Sequence, residues 1–270
     1  MASFSVVSNI ASTNAQANLS VSTMGLNKAL NRLSSGFRIN TSGDDAAGLA
    51  IANNYRSEQA ILTQGIRNAN DGLSTLNIKD GALNNVSLLL DRLATLASQA
   101  SSSAGGVDIS KLEDEYNEVI DEIDREITVG GLDAAAGFSV FVSSEATAAD
   151  GIIAGTIGQA DTSAGSLNLT QANWTDSAAA QASLAEISGA IDALGDVQNS
   201  VGILQNRLAF ATSLAQSQVV NKKAAESRIR DANIAEESAN MTRYNILNQS
   251  GIAALAQANQ SSASVLSLLR

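Results

Sequence analysis

The sequence contains no cysteine, no histidine and no proline, and only 3% of its residues are aromatic. Each absence excludes something. Without cysteine there is no disulfide and no thiol chemistry. Without cysteine or histidine the usual zinc and haem ligands are missing, as are Ser-His-Asp and Cys-His catalysis. The shortage of aromatics and the lack of proline favour long helices with small-residue seams over a thick globular core. Basic charge is also scarce: 16 Lys and Arg face 27 Asp and Glu, for a net charge of −11. That balance opposes nucleic acid, which needs clustered cations against phosphate, and it opposes an anionic membrane surface. No apolar run is long enough to span a bilayer. Met1–Phe4 carries no basic start, so no conventional secretory signal is predicted. Composition alone therefore suggests a soluble cytoplasmic chain, and its 270 residues allow one or two domains.

The most informative stretch runs from Leu26 to Ala52. Leu26, Leu30, Leu33 and Phe37 recur at helical spacing. Ser35 and Gly36 then punctuate it, glycine tolerating the left-handed backbone that closes a helix. Ser42 stands three residues before Asp45, a capping-box spacing, and the Asp44 and Asp45 carboxylates suit the positive end of a new helix. By spacing alone this is the corner of a helical hairpin.

As written, the residues carry more than spacing. Leu33 to Asn40 and Asp44 to Ala52 closely resemble the N-terminal signature of the bacterial flagellin family, Leu-Ser-Ser-Gly-x-Arg-Ile-Asn followed by Asp-Asp-Ala-Ala-Gly-Leu-Ala-Ile-Ala. A second resemblance closes the chain: Ser227-Arg228-Ile229, Thr242-Arg243, Ile246-Leu247, Ala256 to Gln260 and Val265 to Arg270 follow the family's C-terminal pattern. Ser261 and Ser262 stand where the family has a stretch with proline. Weaker matches are Arg67 to Leu83, where Asp80 replaces a glutamate, and the segment around Gln205-Asn206-Arg207-Leu208, where Gln198-Asn199 looks like a partial duplication.

Periodicity predicts four main helical tracts. The first covers residues 1 to about 34, with Leu19, Leu26 and Leu33 seven apart. The second runs from about Asp45 to Gln99, with Gly65, Gly72 and Gly81 as places where it is weakened, bent or open to interruption. The third ends near Ile127 and carries Leu112, Tyr116, Val119 and Ile123 on one side and six carboxylates on the others. Those carboxylates lack any pocket signal and read as a solvated face rather than a catalytic pair. The fourth resumes near Ser177, its three/four spacing running from Ile187 to Ala215, and the C-terminal end is a further amphipathic helix. Between the third and fourth tracts, Phe138–Val142 and Ile152–Ile157 alternate like strands, and Leu167–Thr170 is read as a third strand.

The fold class expected is mainly α: a long-helix coiled-coil or bundle built from both chain termini, with a small β-hairpin region in the centre. The domain boundaries expected are 1-44 with 228-270 for an inner terminal coiled coil, 45-130 with 177-227 for an outer helical bundle, and 131-176 for a small variable region. Leu19, Leu26, Leu30 and Leu33 are expected to form a polymerisation seam with Ile252, Leu255, Leu266 and Leu269. Two sequence-remote amphipathic ends leave one side of each uncovered. Many identical copies would complete them, and a heterologous contact that does not close gives an open filament.

The resemblance implies a filament subunit outside the cell, exported through the flagellum's own type III channel without a cleaved signal. It implies no cofactor, no metal and no catalysis, and partners comprising further copies, an export chaperone, a filament cap and hook-junction proteins. It also suggests an animal Toll-like receptor as a partner, with Arg92, Leu96 and Glu122 matching the family's receptor contacts, although Ala94 and Thr95 depart from that pattern. The same three residues read equally well as bundle-surface groups serving filament contacts. Serine and threonine in 143–177 are the expected place for any O-glycosylation. A hook–filament junction protein and a non-polymerising secreted coiled coil are the alternative readings. A metalloprotease insert, found in some flagellins, needs His-Glu-x-x-His and is excluded by the lack of histidine.

Overall fold

The computed structural model describes residues 9–102, 108–143, 151–163 and 166–268, with side chains to residue 260. The first eight residues of the predicted N-terminal helix lie outside the described residues.

Helix α1 spans Ile10–Ser35. Asn9 caps it by accepting the Ser12 N–H at 3.0 Å, which satisfies one of the free donors of the first turn. Gly36, at φ 75°, ends it, its N–H returning to the Arg32 carbonyl at 2.9 Å. The connector to α2 departs from the expected capping box. Asp44, not Asp45, organises the turn: its carboxylate accepts the Asn40 N–H, the Thr41 N–H and the Thr41 hydroxyl, and pairs with Lys28 at 3.0 Å. The Lys28 ammonium first, then the Thr41 N–H, hold the Asp44 pKa down at about 2. Asp45 is itself the cap, accepting the Gly48 N–H at 2.8 Å. Ser42 takes no part.

Helix α2 is unbroken over 56 residues, Ala46–Ser101, so the interruption to which its glycines leave it open does not occur. Two of those glycines make room for a strand. A Cβ on Gly65 would lie 2.6 Å from the Val142 carbonyl oxygen, and one on Gly72 would lie 2.8 Å from Val140 Cγ2. Helix propensity of about 1 kcal/mol per glycine is surrendered for that close approach. Gly81 faces open space.

Helix α3, Ile109–Gly130, runs three residues past its predicted end. Gly131, at φ 63°, closes it, and Lys79 of α2 donates to the Gly130 carbonyl at 3.3 Å and also to that of Gly131. Burial lowers the Lys79 pKa. Strands β1 (Ala136–Phe141) and β2 (Ile152–Ile157) pair antiparallel, from Ala136 opposite Ile157 to Phe141 opposite Ile152.

The third expected strand, Leu167–Thr170, is a loop instead. The Leu167 and Leu169 N–H groups bond locally to the Asp161 and Thr162 carbonyls, and Asn168 between them sits at φ 50°. Leu167 and Leu169 are buried, so their alternation reports loop burial rather than a ladder. Helix α4 is Ser177–Arg230, capped by Asp176, and after a break at residues 231–233 helix α5 covers Ile234–Leu268. That break is absent from the sequence reading.

The chain divides into two compact units: Met1–Ser57 with Asn221–Arg270, and Glu58–Val220. The second unit holds the hydrophobic core. Leu76, Leu83, Leu90 and Leu93 of α2 pack with Tyr116, Ile123 and Ile127 of α3 and with Ile187, Val201, Leu204 and Leu208 of α4. The hairpin adds Val140 and Ile157. Trp174 seals one part of this core: its ring centroid lies 4.8 Å from that of Tyr116, and its indole N–H donates to Ser183 Oγ at 3.0 Å. Burial, and then the charge of Glu186, raise the Tyr116 pKa to about 12.

Candidate functional site

In the terminal unit, α1 and α5 run antiparallel along one another. Polar contacts mark the register: Asn9 Nδ2 donates to the Ala258 carbonyl at 2.9 Å, Ser12 Oγ to Asn259 Oδ1 at 2.9 Å, and Thr23 Oγ1 to Asn248 Oδ1 at 3.0 Å. Small residues bring the backbones close. A Cβ on Gly25 would strike the Tyr244 ring at 2.6 Å, and one on Gly251 would lie 3.2 Å from Leu19 Cδ1. Arg32 Nη1 donates to Glu237 Oε1 at 2.9 Å, and Glu237 is only 7% exposed, so this charge pair sits where a hydrophobic contact would be expected.

Below the pair, the two interhelical breaks zip together. Phe37 and Asp231 form an antiparallel bridge: the Ala232 N–H reaches the Gly36 carbonyl at 2.9 Å, and the Arg38 N–H reaches that of Arg230 at 2.7 Å. Arg230 lies over the Phe37 ring at 4.1 Å. The bridge explains why both connectors leave helical geometry: each offers the other the backbone partners that a helix end lacks.

Few apolar side chains are fully buried in this unit; among the described residues they are Ala29, Ile39 and Ala52. Of the expected seam residues, Leu19, Leu26, Leu33 and Leu255 are half-buried, whereas Leu30 and Ile252 are exposed. Leu266 lies in α5 with its side chain outside the described residues, and Leu269 falls outside them entirely. Further apolar groups line the outside of the pair: Ile10, Val21 and Met24 on α1 are each at least 60% exposed, and Ile246 on α5 is 60% exposed. Ile10, Val21 and Met24 fall on one face at helical spacing. Ile10, Val21 and Met24 fall outside the Leu19, Leu26 and Leu33 heptad, so the leucine spacing in the sequence does not reveal this face.

The three residues matched to receptor contacts lie in the other unit. Arg92 Nε donates to Glu115 Oε1 at 3.1 Å. Glu122 accepts from Arg125 Nε at 2.7 Å, and that guanidinium lowers its pKa. Leu96 is wholly buried, so it offers no surface. Among the described residues no group of three His, Cys, Asp or Glu is placed to hold a metal, and no helix is long and apolar enough to cross a membrane.

Residues 6–131 match the family model described as the bacterial flagellin N-terminal helical region, and residues 184–269 match that of the C-terminal helical region. The chain is similar to a flagellin of Halalkalibacterium halodurans, 37% identical over 97% of this chain and 98% of that one. It is similar to a flagellin of Bacillus subtilis at 32% identity over 97% and 98% of the two chains. A crystal structure of Bacillus cereus flagellin aligns with 59% of this chain and 94% of its own at 27% identity, with a TM-score of 0.47.

Proposed function

The chain belongs to the bacterial flagellin family, and from that premise we propose that α1 and α5 form one half of a seam that neighbouring copies complete. The protein is a structural subunit of the flagellar filament, outside the cell. One observation supports the seam reading above others: the α1–α5 pair carries apolar side chains on the side that α1 and α5 do not cover, including Ile10, Val21, Met24, Leu30, Ile246 and Ile252. Covering such groups yields about 25 cal/mol per Å² of apolar surface. Only identical copies, present at filament density, supply that cover along the whole helix length. Because the seam face repeats in every copy and the contact does not close on itself, growth is open-ended.

On this reading the terminal stretches 1-44 and 228-270 line the inside of the filament, 45-130 with 177-227 form the bundle around it, and 131-176 lies outermost. Any O-glycosylation falls in 143–177. The chain has no catalytic role. Export runs through the flagellum's own channel, with a chaperone, a cap and hook-junction proteins as the other partners. The relatives named above are flagellins, which favours the filament over the hook junction. Recognition by a Toll-like receptor would rest on Arg92 and Glu122; a receptor reporter assay with Arg92→Ala tests it, an unchanged signal counting against that role.

The seam is tested by deleting residues 247–270. The truncated chain should keep its bundle helicity by circular dichroism and make no filaments under negative stain. Filaments from that truncation would refute the seam.

A further inference from the structure

Charge is divided unevenly between the two units. The terminal unit, Met1–Ser57 with Asn221–Arg270, carries ten Lys and Arg against six Asp and Glu, a net of +4. The unit Glu58–Val220 carries six against twenty-one, a net of −15. A protein whose overall charge is −11 thus has one positive part.

The positive charge of the terminal unit is concentrated at the end of α4 and the connector bridged to it. Lys222, Lys223, Arg228 and Arg230 occupy the last turns of α4, and the Arg38 guanidinium joins them by donating to the Ile229 carbonyl at 2.8 Å. Glu226 and Asp231 are the only acids in the same stretch of α4 and its break. Arg228 and Arg230 suit the negative end of the α4 dipole. Lys223 lies two turns back, where that effect has faded, so helix capping does not account for it. Lys223 and Arg228 are exposed and form no ion pair among the described residues.

The opposite charge has a ridge of its own. Helix α3 carries eight Asp and Glu against two Lys and Arg. Asp114, Glu118 and Asp121 recur at four and three residues, so they share one face, and all are exposed. Glu115 is matched by Arg92, and Glu122 and Glu126 by Arg125; Lys111, paired with Asp108, and Arg125 stand at the two ends of the same face, so the ridge proper is the stretch between them, where Asp114 and Glu118 have no cation among the described residues. Packed side by side, acidic units repel one another, and a filament gains if each meets a cationic surface.

We propose that the cationic collar of Arg38, Lys223 and Arg228 docks against the acidic α3 ridge of a second copy, giving the filament an electrostatic contact separate from its apolar seam. This rests on the filament reading and adds to it a specific pair of surfaces. The contact orients incoming copies, because like-charge placements are penalised while the collar-to-ridge placement is favoured.

The test is a charge swap in the full-length chain. Lys223→Glu with Arg228→Glu should raise the critical concentration for assembly on the order of tenfold at about 20 mM NaCl, and less at about 200 mM, where charges are screened within a shorter distance. Adding Asp114→Lys and Glu118→Lys to the same chain should restore assembly towards the wild-type value. Circular dichroism checks that each variant folds, and Lys223→Gln with Arg228→Gln, which removes charge without reversing it, should give a smaller rise. An unchanged critical concentration in both collar variants overturns the proposal, as does a four-residue swap that assembles worse than the collar reversal. A wild-type chain that forms no filament under these conditions overturns the filament reading itself, and the collar with it.

Discussion

The two units solve the same problem differently. In Glu58–Val220, three helices and a hairpin enclose one continuous cluster of leucine, isoleucine and valine, although Ile78, Leu88 and Phe210 stay exposed, and even the polar atoms of Trp174 and Ser183 find each other. In the terminal unit, two long helices meet along one line, hold register with Asn, Ser and Thr side chains, and leave Val21, Met24 and Ile246 in water. The contrast teaches that helix length does not make a core. A pair of helices has too little inner surface to offset the conformational entropy of ordering them, whereas a third helix encloses a volume.

The largest expected effect separates the units directly. Leu93→Ala, at a wholly buried site, should lower the stability of the core unit by about 2–5 kcal/mol, read as a fall in melting temperature. Leu30→Ala, at a residue 51% exposed, should shift monomer stability by no more than about 0.5 kcal/mol yet weaken filament assembly. Equal melting shifts for both would erase the distinction.

A smaller effect concerns the glycines of α2. Gly65→Ala drives a methyl into the Val142 backbone and should cost about 1–3 kcal/mol. Gly81→Ala, in open space on the same helix, should stabilise by roughly 1 kcal/mol. Chemical denaturation of the two variants should move in opposite directions; parallel shifts would mean that the hairpin is not what these glycines serve.

Smaller again, Trp174→Phe keeps the ring but loses the indole donor to Ser183, which should cost about 1 kcal/mol in urea unfolding.

The smallest effect is in the corner of the terminal unit. The Asp44 pKa is held at about 2, below its unfolded value, so its contribution is complete above the ordinary carboxylate range and is lost as pH falls towards 2. Asp44→Asn should remove that acid-dependent part and leave the melting of the core unit unchanged. A variant with the same acid profile as wild type would show that Lys28 and the Thr41 turn do not depend on the charge.

Much of this was legible in the chain. Repeating leucines on α1 and α2 announce long helices, and the alternation in Phe138–Val142 and Ile152–Ile157 announces the hairpin. The misreadings share one cause. Leu167-Asn168-Leu169 alternates like a strand, but its backbone bonds stay within the loop. Gly65 and Gly72 look like helix breakers, but the Val142 carbonyl just past β1 and the Val140 side chain of β1 lie 2.6 and 2.8 Å from where their Cβ atoms would be. Ser42 and Asp45 have capping-box spacing, but Asp45 is itself the cap, accepting the Gly48 N–H, so the helix starts one residue after it and the box has no place. Local pattern carries local preference, and each case was decided by a partner distant in sequence or by a competitor next door.

The sequence by itself determined the helices, their apolar faces, the exclusion of thiol and imidazole chemistry, and the family, because these depend on residue identity and spacing along one chain. Only the tertiary structure decided that α1 lies against α5 with Gly25 under Tyr244, that the breaks at Phe37 and Asp231 bridge one another, and that Leu96 is hidden while Val21 and Met24 are bare. The physical reason is that burial and backbone pairing are properties of two surfaces together, and a linear pattern describes only one.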